Sequence, residues 1–201
     1  MKLYYSRGTC AFAAHIALYE TGLPFEVERV DLATKKTASG VDFLQINPNG
    51  YVPVLELDDG SYLTEAAVVL QYIADAVPGA GLAPPAGTTA RYRMMQWLAF
   101  ISTEVHKGYS TLFSSAAPDE YKASVRERLI ARLAYVNSQL TGHDWLLGGQ
   151  FTVADCYLYT VLNWSRAVGM DVSTLANLVA FRERVAVRPA AQQAFQAERA
   201  A

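Results

Sequence analysis

Cys10 stands in the run YYSRGTCAFAAHIALYETG, where a short apolar stretch, Leu3 to Tyr5, passes through a turn at Gly8 into a helical pattern. The thiol therefore falls at the first turn of a helix, where unpaired backbone N–H groups and the helix dipole favour a thiolate. Such sites bring a cysteine pKa from roughly 8.5 down to about 3.5–7.5, within reach of nucleophilic attack at neutral pH. Ala13 occupies the position of the second cysteine of a CxxC motif. A disulfide formed by Cys10 would thus need an external thiol. The competing reading is a buried structural cysteine, a common fate of the residue.

Other residues offer binding chemistry, each with a plainer alternative. Pro53 lacks a ladder donor and must begin or edge its strand. A cis Val52–Pro53 bond would turn the Val52 backbone outward to pair with an extended peptide, whereas base rates favour trans. Thr64, Glu65 and Ala66 open a helix whose free N–H groups suit a carboxylate, with Glu65 facing an ammonium; simple dipole compensation by Glu65 explains the same pattern. Lys35 and Lys36 could meet a second carboxylate or form a solvated pair. In EVHKGYSTLF, His106 and Lys107 fall mid-helix, and an unshifted histidine pKa near 6.5 would let His106 steady a thiolate or protonate a leaving group. Thr152 and Asp155 in FTVADCYL have capping-box spacing, and Cys156 reads as core. Tyr109 and Trp164 offer aromatic surface for an apolar pocket or for the core. No His–Cys cluster has ligand spacing, so no metal is expected.

The elements that must carry these residues follow two grammars. Up to residue 77 strand and helix signals alternate: strands at about Lys2 to Ser6 and Glu26 to Asp31, a helix at about Ala11 to Thr21, then a hairpin through Asp59-Gly60 and a helix bearing Val68, Leu70 and Ile73. The order βαβ, α, ββα predicts a mixed four-stranded sheet. Residues 78–89, rich in Pro and Gly, read as a linker. Residues 90–201 are helical throughout, with segments at Arg91–Leu112, Glu120–Leu140, from Thr152, near Leu175 and after Pro189. Composition sets the outer limits. The chain has 201 residues, 52% hydrophobic and 18% charged, with net charge −2 and two cysteines. This fits a well-packed protein of a reducing cytoplasm, with no electrostatic case for nucleic acid and no apolar run of membrane length. No leader is expected before the first strand.

In this order, the cysteine after the first strand, VPVLELDDG, Glu65 opening a helix, EVHKG and FTVAD resemble the cytosolic glutathione transferases over essentially the whole chain. NPNGYVPVL and FTVADCYL mark the superfamily, and Cys10 with His106 and Lys107 is most like the bacterial beta class. The resemblance implies a thioredoxin-like α/β domain over 1–77 and an all-α electrophile-binding domain over 90–201, assembled as a cytoplasmic homodimer with glutathione as co-substrate. By position, Cys10 would face the glutathione sulfur, Lys35 the glycyl carboxylate, and Val52, ahead of cis-Pro53, the cysteinyl backbone. Glu65 and the N–H of Ala66 would hold the γ-glutamyl end. Thr103, Glu104 and His106 would approach the thiol from the second domain or the dimer partner, while Tyr5, Lys107, Tyr109 and Trp164 would line or border the electrophile pocket. Three positions depart from the family pattern: Ala11, Ala66 and Ala99 each remove a side-chain hydrogen bond worth about 0.5–1.5 kcal/mol. The implied activity is attack of the glutathione thiolate on small hydrophobic electrophiles, or thiol–disulfide exchange through Cys10. The alternative is a non-catalytic ligand-binding or docking module on the same fold, for which Cys10, Lys35, Glu65 and His106 together would be superfluous.

Overall fold

The computed structural model describes residues 1–200. It divides into two compact units, Met1–Ala83 with the C-terminal stretch from Arg188, and Pro84–Val187. In the first, β1 (Lys2–Tyr5) leads through a turn into α1 (Ala11–Thr21), which returns the chain to β2 (Glu26–Asp31). After β3 (Lys36–Thr37) come β4 (Val54–Glu56), β5 (Tyr62–Leu63) and α2 (Ala66–Ala76). The strand order is β3-β2-β1-β4-β5. β1 runs parallel to β2, with Leu3 opposite Val27, and antiparallel to β4, with Leu3 opposite Leu55. The sheet is mixed as expected but has five strands rather than four. The extra one, β3, is two residues long and pairs with Val30 and Asp31, too short to leave an alternating pattern. It takes in Lys36.

α1 is buried along most of its length, Ala11 and Ala13 to Leu18 being inaccessible with the polar His15 among them; it packs on β1, on α2 and on the last helix. Gly22 ends it in the left-handed region (φ 69°), its N–H closing on the Tyr19 carbonyl.

The second unit is helical. α3 (Thr89–Phe100) is capped by the Thr88 hydroxyl, which accepts from Arg91 N. It passes without a break through a π-helical stretch, Ile101–His106, into α4 (Lys107–Phe113). α5 (Asp119–Gln139), α6 (Val153–Ala167) and α7 (Ala176–Ala186) complete the bundle, around a core that includes Met94, Leu98, Val105, Leu129, Leu133, Val161 and Phe181. Gly108 lets α4 close on α5, since a Cβ there would lie 3.2 Å from Leu129 Cδ1.

The expected linker holds one tight helical turn, Pro78–Ala80, and its last residue, Thr89, already begins α3. The final helix, α8 (Pro189–Ala200), belongs to the first unit, not to the helical one. It packs on α1. Arg188, just ahead of it, forms a two-pronged ion pair with Glu20 at 2.6 and 2.9 Å. Buried Glu198 accepts from Gly8 N at 3.4 Å and lies 3.4 Å from His15 Nδ1. Among the described residues no helix is long and apolar enough to cross a membrane.

Candidate functional site

In the first unit the chemistry gathers at the end of β1. The turn Ser6–Thr9 is pinned by the Thr9 hydroxyl, which donates to the Ser6 carbonyl at 2.7 Å, and it delivers Cys10 as the residue capping α1. Cys10 is 8% exposed, and its thiol donates to the Val52 carbonyl at 3.3 Å. The peptide bond following that carbonyl, Val52–Pro53, is cis. Its approach is fixed by Asn47, a residue that the sequence reading passed over: the buried amide donates to the Tyr51 carbonyl at 2.8 Å and accepts from Asn49 N at 3.1 Å. The Asn47-Pro48-Asn49-Gly50 run is a turn signature that could have marked it. Lys35 Nζ donates to the Gly50 carbonyl at 2.9 Å and stands 5.9 Å over the ring of Tyr51, which is 72% exposed. The structure thus joins Cys10 to Val52 and Lys35 to the loop that carries Val52.

Glu65 caps α2 with φ 65°, a backbone region that costs a non-glycine residue about 1–3 kcal/mol and recurs at ligand clamps. Its carbonyl receives both Val68 N and Val69 N at 2.9 Å. The carboxylate is exposed, and the N–H of Ala66, first in the helix, is one of the donors that helix geometry leaves over. Tyr5 is not at any surface: it is 1% exposed, its ring 5.6 Å from that of His15. As the last residue of the central strand it points into the core, which corrects its expected place in the electrophile pocket.

In the second unit the π-helical stretch sets the angular positions of its side chains. His106 meets Tyr157 of α6, Nδ1 to hydroxyl at 2.7 Å, and its ring lies edge-on to Trp164 at 4.8 Å. Trp164 in turn contacts buried Tyr109 at 5.9 Å and half-exposed Phe113 at 5.8 Å. Of the four aromatic residues around the histidine only Trp164 and Phe113 reach solvent; Tyr109, expected to border the electrophile pocket, is buried behind Trp164, as Tyr157 is behind His106. Burial, helped by the Lys107 charge, lowers the His106 pKa to about 4. The imidazole is therefore neutral at pH 7, which removes the charged acid expected from an unshifted histidine and leaves a neutral donor–acceptor. Lys107 is exposed. Glu104 accepts from Arg132 of α5 at 2.8 Å, and the Thr103 hydroxyl donates to the Ala99 carbonyl at 3.1 Å; both are engaged within their own unit. Tyr157 and Phe113 were missed, although Tyr157 lies inside the FTVADCYL motif. No group of three or more His, Cys, Asp or Glu side chains that could hold a metal ion occurs among the described residues.

Models of the glutathione S-transferase N-terminal and C-terminal domains match residues 1–75 and 100–189. Glutathione S-transferase GstA of Escherichia coli O157:H7 is 45% identical over 98% of each chain. The chain belongs to the glutathione S-transferase family. Among solved structures it is similar to a sphingomonad glutathione S-transferase complexed with glutathione, 46% identical with all of both chains covered and a TM-score of 0.97. It is likewise similar to a bacterial beta class glutathione S-transferase from Sphingomonas chungbukensis, 44% identical over 98% of each chain with a TM-score of 0.95. The likeness to the beta class read from Cys10, His106 and Lys107 agrees with this last relative.

Proposed function

We propose that this member of the glutathione S-transferase family joins the thiolate of glutathione to small apolar electrophiles, as a homodimer. The observation that carries the reading is the Cys10 thiol, held at the N-terminus of α1 and bonded to the carbonyl ahead of Pro53. The tripeptide lies extended along the Val52 backbone, with its sulfur at Cys10 and its glycyl carboxylate toward Lys35. Glu65 faces the γ-glutamyl ammonium, and the Ala66 N–H takes the γ-glutamyl carboxylate, which the positive end of α2 favours. The aromatic surface around Trp164, bordered by Lys107, receives the electrophile. His106 supplies a neutral N–H to the anion of the reaction, and Thr103 and Glu104 support the same turn.

Cys10 also opens an exchange route. Its thiolate attacks the glutathione sulfur of a mixed disulfide RS–SG, forming a Cys10–glutathione disulfide and expelling the thiolate RS⁻; a second glutathione thiolate then displaces Cys10 and leaves as glutathione disulfide. Residence in the cytoplasm is part of this reading, because the glutathione thiol that the reaction consumes stays reduced there.

Intact-mass spectrometry after treatment with glutathione disulfide tests the assignment. Wild type should gain one glutathione and Cys10→Ala none. Absence of the adduct from wild type, or its persistence in the variant, removes Cys10 from the mechanism.

A further inference from the structure

We infer that Tyr157 is a positioning residue that fixes His106 with its single proton on Nε2, turning a flexible imidazole into a directional N–H donor. Its value for turnover rests on the transferase reading. The bond between the two residues is 2.7 Å long, short enough for either group to donate, so relative acidity decides the donor. A phenol is a stronger acid than neutral imidazole, and an imidazole nitrogen is a better base than a phenol oxygen. The proton between them therefore belongs to Tyr157, and Nδ1 is the acceptor. A neutral ring with Nδ1 accepting carries its proton on Nε2. That nitrogen makes no hydrogen bond to any described residue.

The ring is also clamped. Tyr157 and Trp164 stand seven residues apart on α6, hence on one face. They meet the imidazole at 89° and 71°, with centroids 5.9 and 4.8 Å away. Rotation about the Cβ–Cγ bond would break the Tyr157 bond and drive the ring into an aromatic wall.

The surrounding charges agree with a neutral donor. Lys107, the next residue, is the one charged group that acts on the ring, and it opposes protonation. Glu104, on the same π-helical stretch, is taken by Arg132 of α5. From α6 the ring is faced by Tyr157 and Trp164. A carboxylate on the second nitrogen would favour the cation; here a phenol holds that place.

The chain has three histidines, so ring-nitrogen NMR of histidine-labelled protein is readable, with His106→Gln assigning the signal. Wild type without glutathione should show His106 protonated on Nε2 alone. In Tyr157→Phe, which keeps the buried ring volume, both tautomers should appear. The His106 titration should move upward, because the lost bond favoured the neutral form. With an activated aryl chloride as electrophile, kcat should fall about 3- to 10-fold while KM for glutathione stays within about twofold. A wild-type proton on Nδ1 overturns the inference, as does a Tyr157→Phe protein with wild-type tautomer, titration and kcat. The tautomer is measured on protein without substrate, so a failed glutathione adduct and a failed tautomer assignment are separate results.

Discussion

Two opposing influences meet at the Cys10 sulfur. The N-terminus of α1 favours a negative charge, while the Val52 carbonyl, 3.3 Å away, is satisfied only by the protonated thiol. A bound peptide amide competing for that carbonyl would release the thiol toward ionisation, so the same backbone group serves binding and reactivity. His106 presents a comparable balance, settled toward the uncharged form. Its pKa of about 4 in the folded chain lies below the ordinary 6.5, chiefly because burial disfavours the cation. Below pH 6.5 the unfolded chain binds a proton that the folded one refuses, so stability is full above that pH and drains as pH falls toward 4. Urea titrations at pH 7 and pH 4.5 should show a larger loss of midpoint for wild type than for His106→Gln. Equal losses would mean that the folded protein pays nothing to keep His106 neutral. The histidine itself stood out in the sequence, but its charge state did not, since that depends on Tyr157 and Trp164, more than fifty residues away.

Helix α6 carries both partners of that histidine, and its start is fixed by a single carboxylate. Asp155 is fully buried and accepts from Leu146 N at 2.9 Å, Thr152 N at 2.8 Å and the Thr152 hydroxyl at 3.0 Å. Desolvation outweighs these donors and raises its pKa to about 6. Tyr157 sits two residues further along, so the cap also sets the turn that presents its phenol. Asp155→Ala would leave two buried N–H groups unpaired, at about 1–3 kcal/mol each. The variant should lose about 2–5 kcal/mol in urea unfolding, and a loss below about 1 kcal/mol would show that the cap is dispensable. This element was legible, because Thr152 and Asp155 carry the capping pattern in their spacing alone. The π-helical stretch was not. Met94, Leu98, Ile101 and Val105 keep helical spacing through it, so one added residue in a turn leaves no trace in the apolar pattern, yet it decides where Glu104 and His106 face. β3 escaped for a different reason: two paired residues cannot show a period.

At the scale of the whole chain, the division into two units does not follow chain order. α8 reads as the end of a helical half because its sequence is helical, and nothing local tells which partner its buried face, Ala190, Ala191, Ala194 and Glu198, will cover. It covers α1. Truncation after Val187 would therefore strip the first unit of the Arg188–Glu20 ion pair and of Glu198, the partner of Gly8 N in the turn that delivers Cys10. The three tryptophans, Trp97, Trp145 and Trp164, all lie between Pro84 and Val187, so their emission reports the second unit alone, whereas far-UV circular dichroism reports both. In urea the truncated chain should show an early circular dichroism phase that tryptophan emission lacks, and reactivity of Cys10 toward glutathione disulfide should become less selective as the turn loosens. Coincident transitions at the wild-type midpoint would mean that α8 adds nothing to the first unit. Glu198→Gln separates the two contributions. It keeps the volume of the helix face and an acceptor for Gly8 N while removing the buried charge beside His15. If the charge is what ties α8 to α1, this variant should reproduce the early phase in a chain of full length.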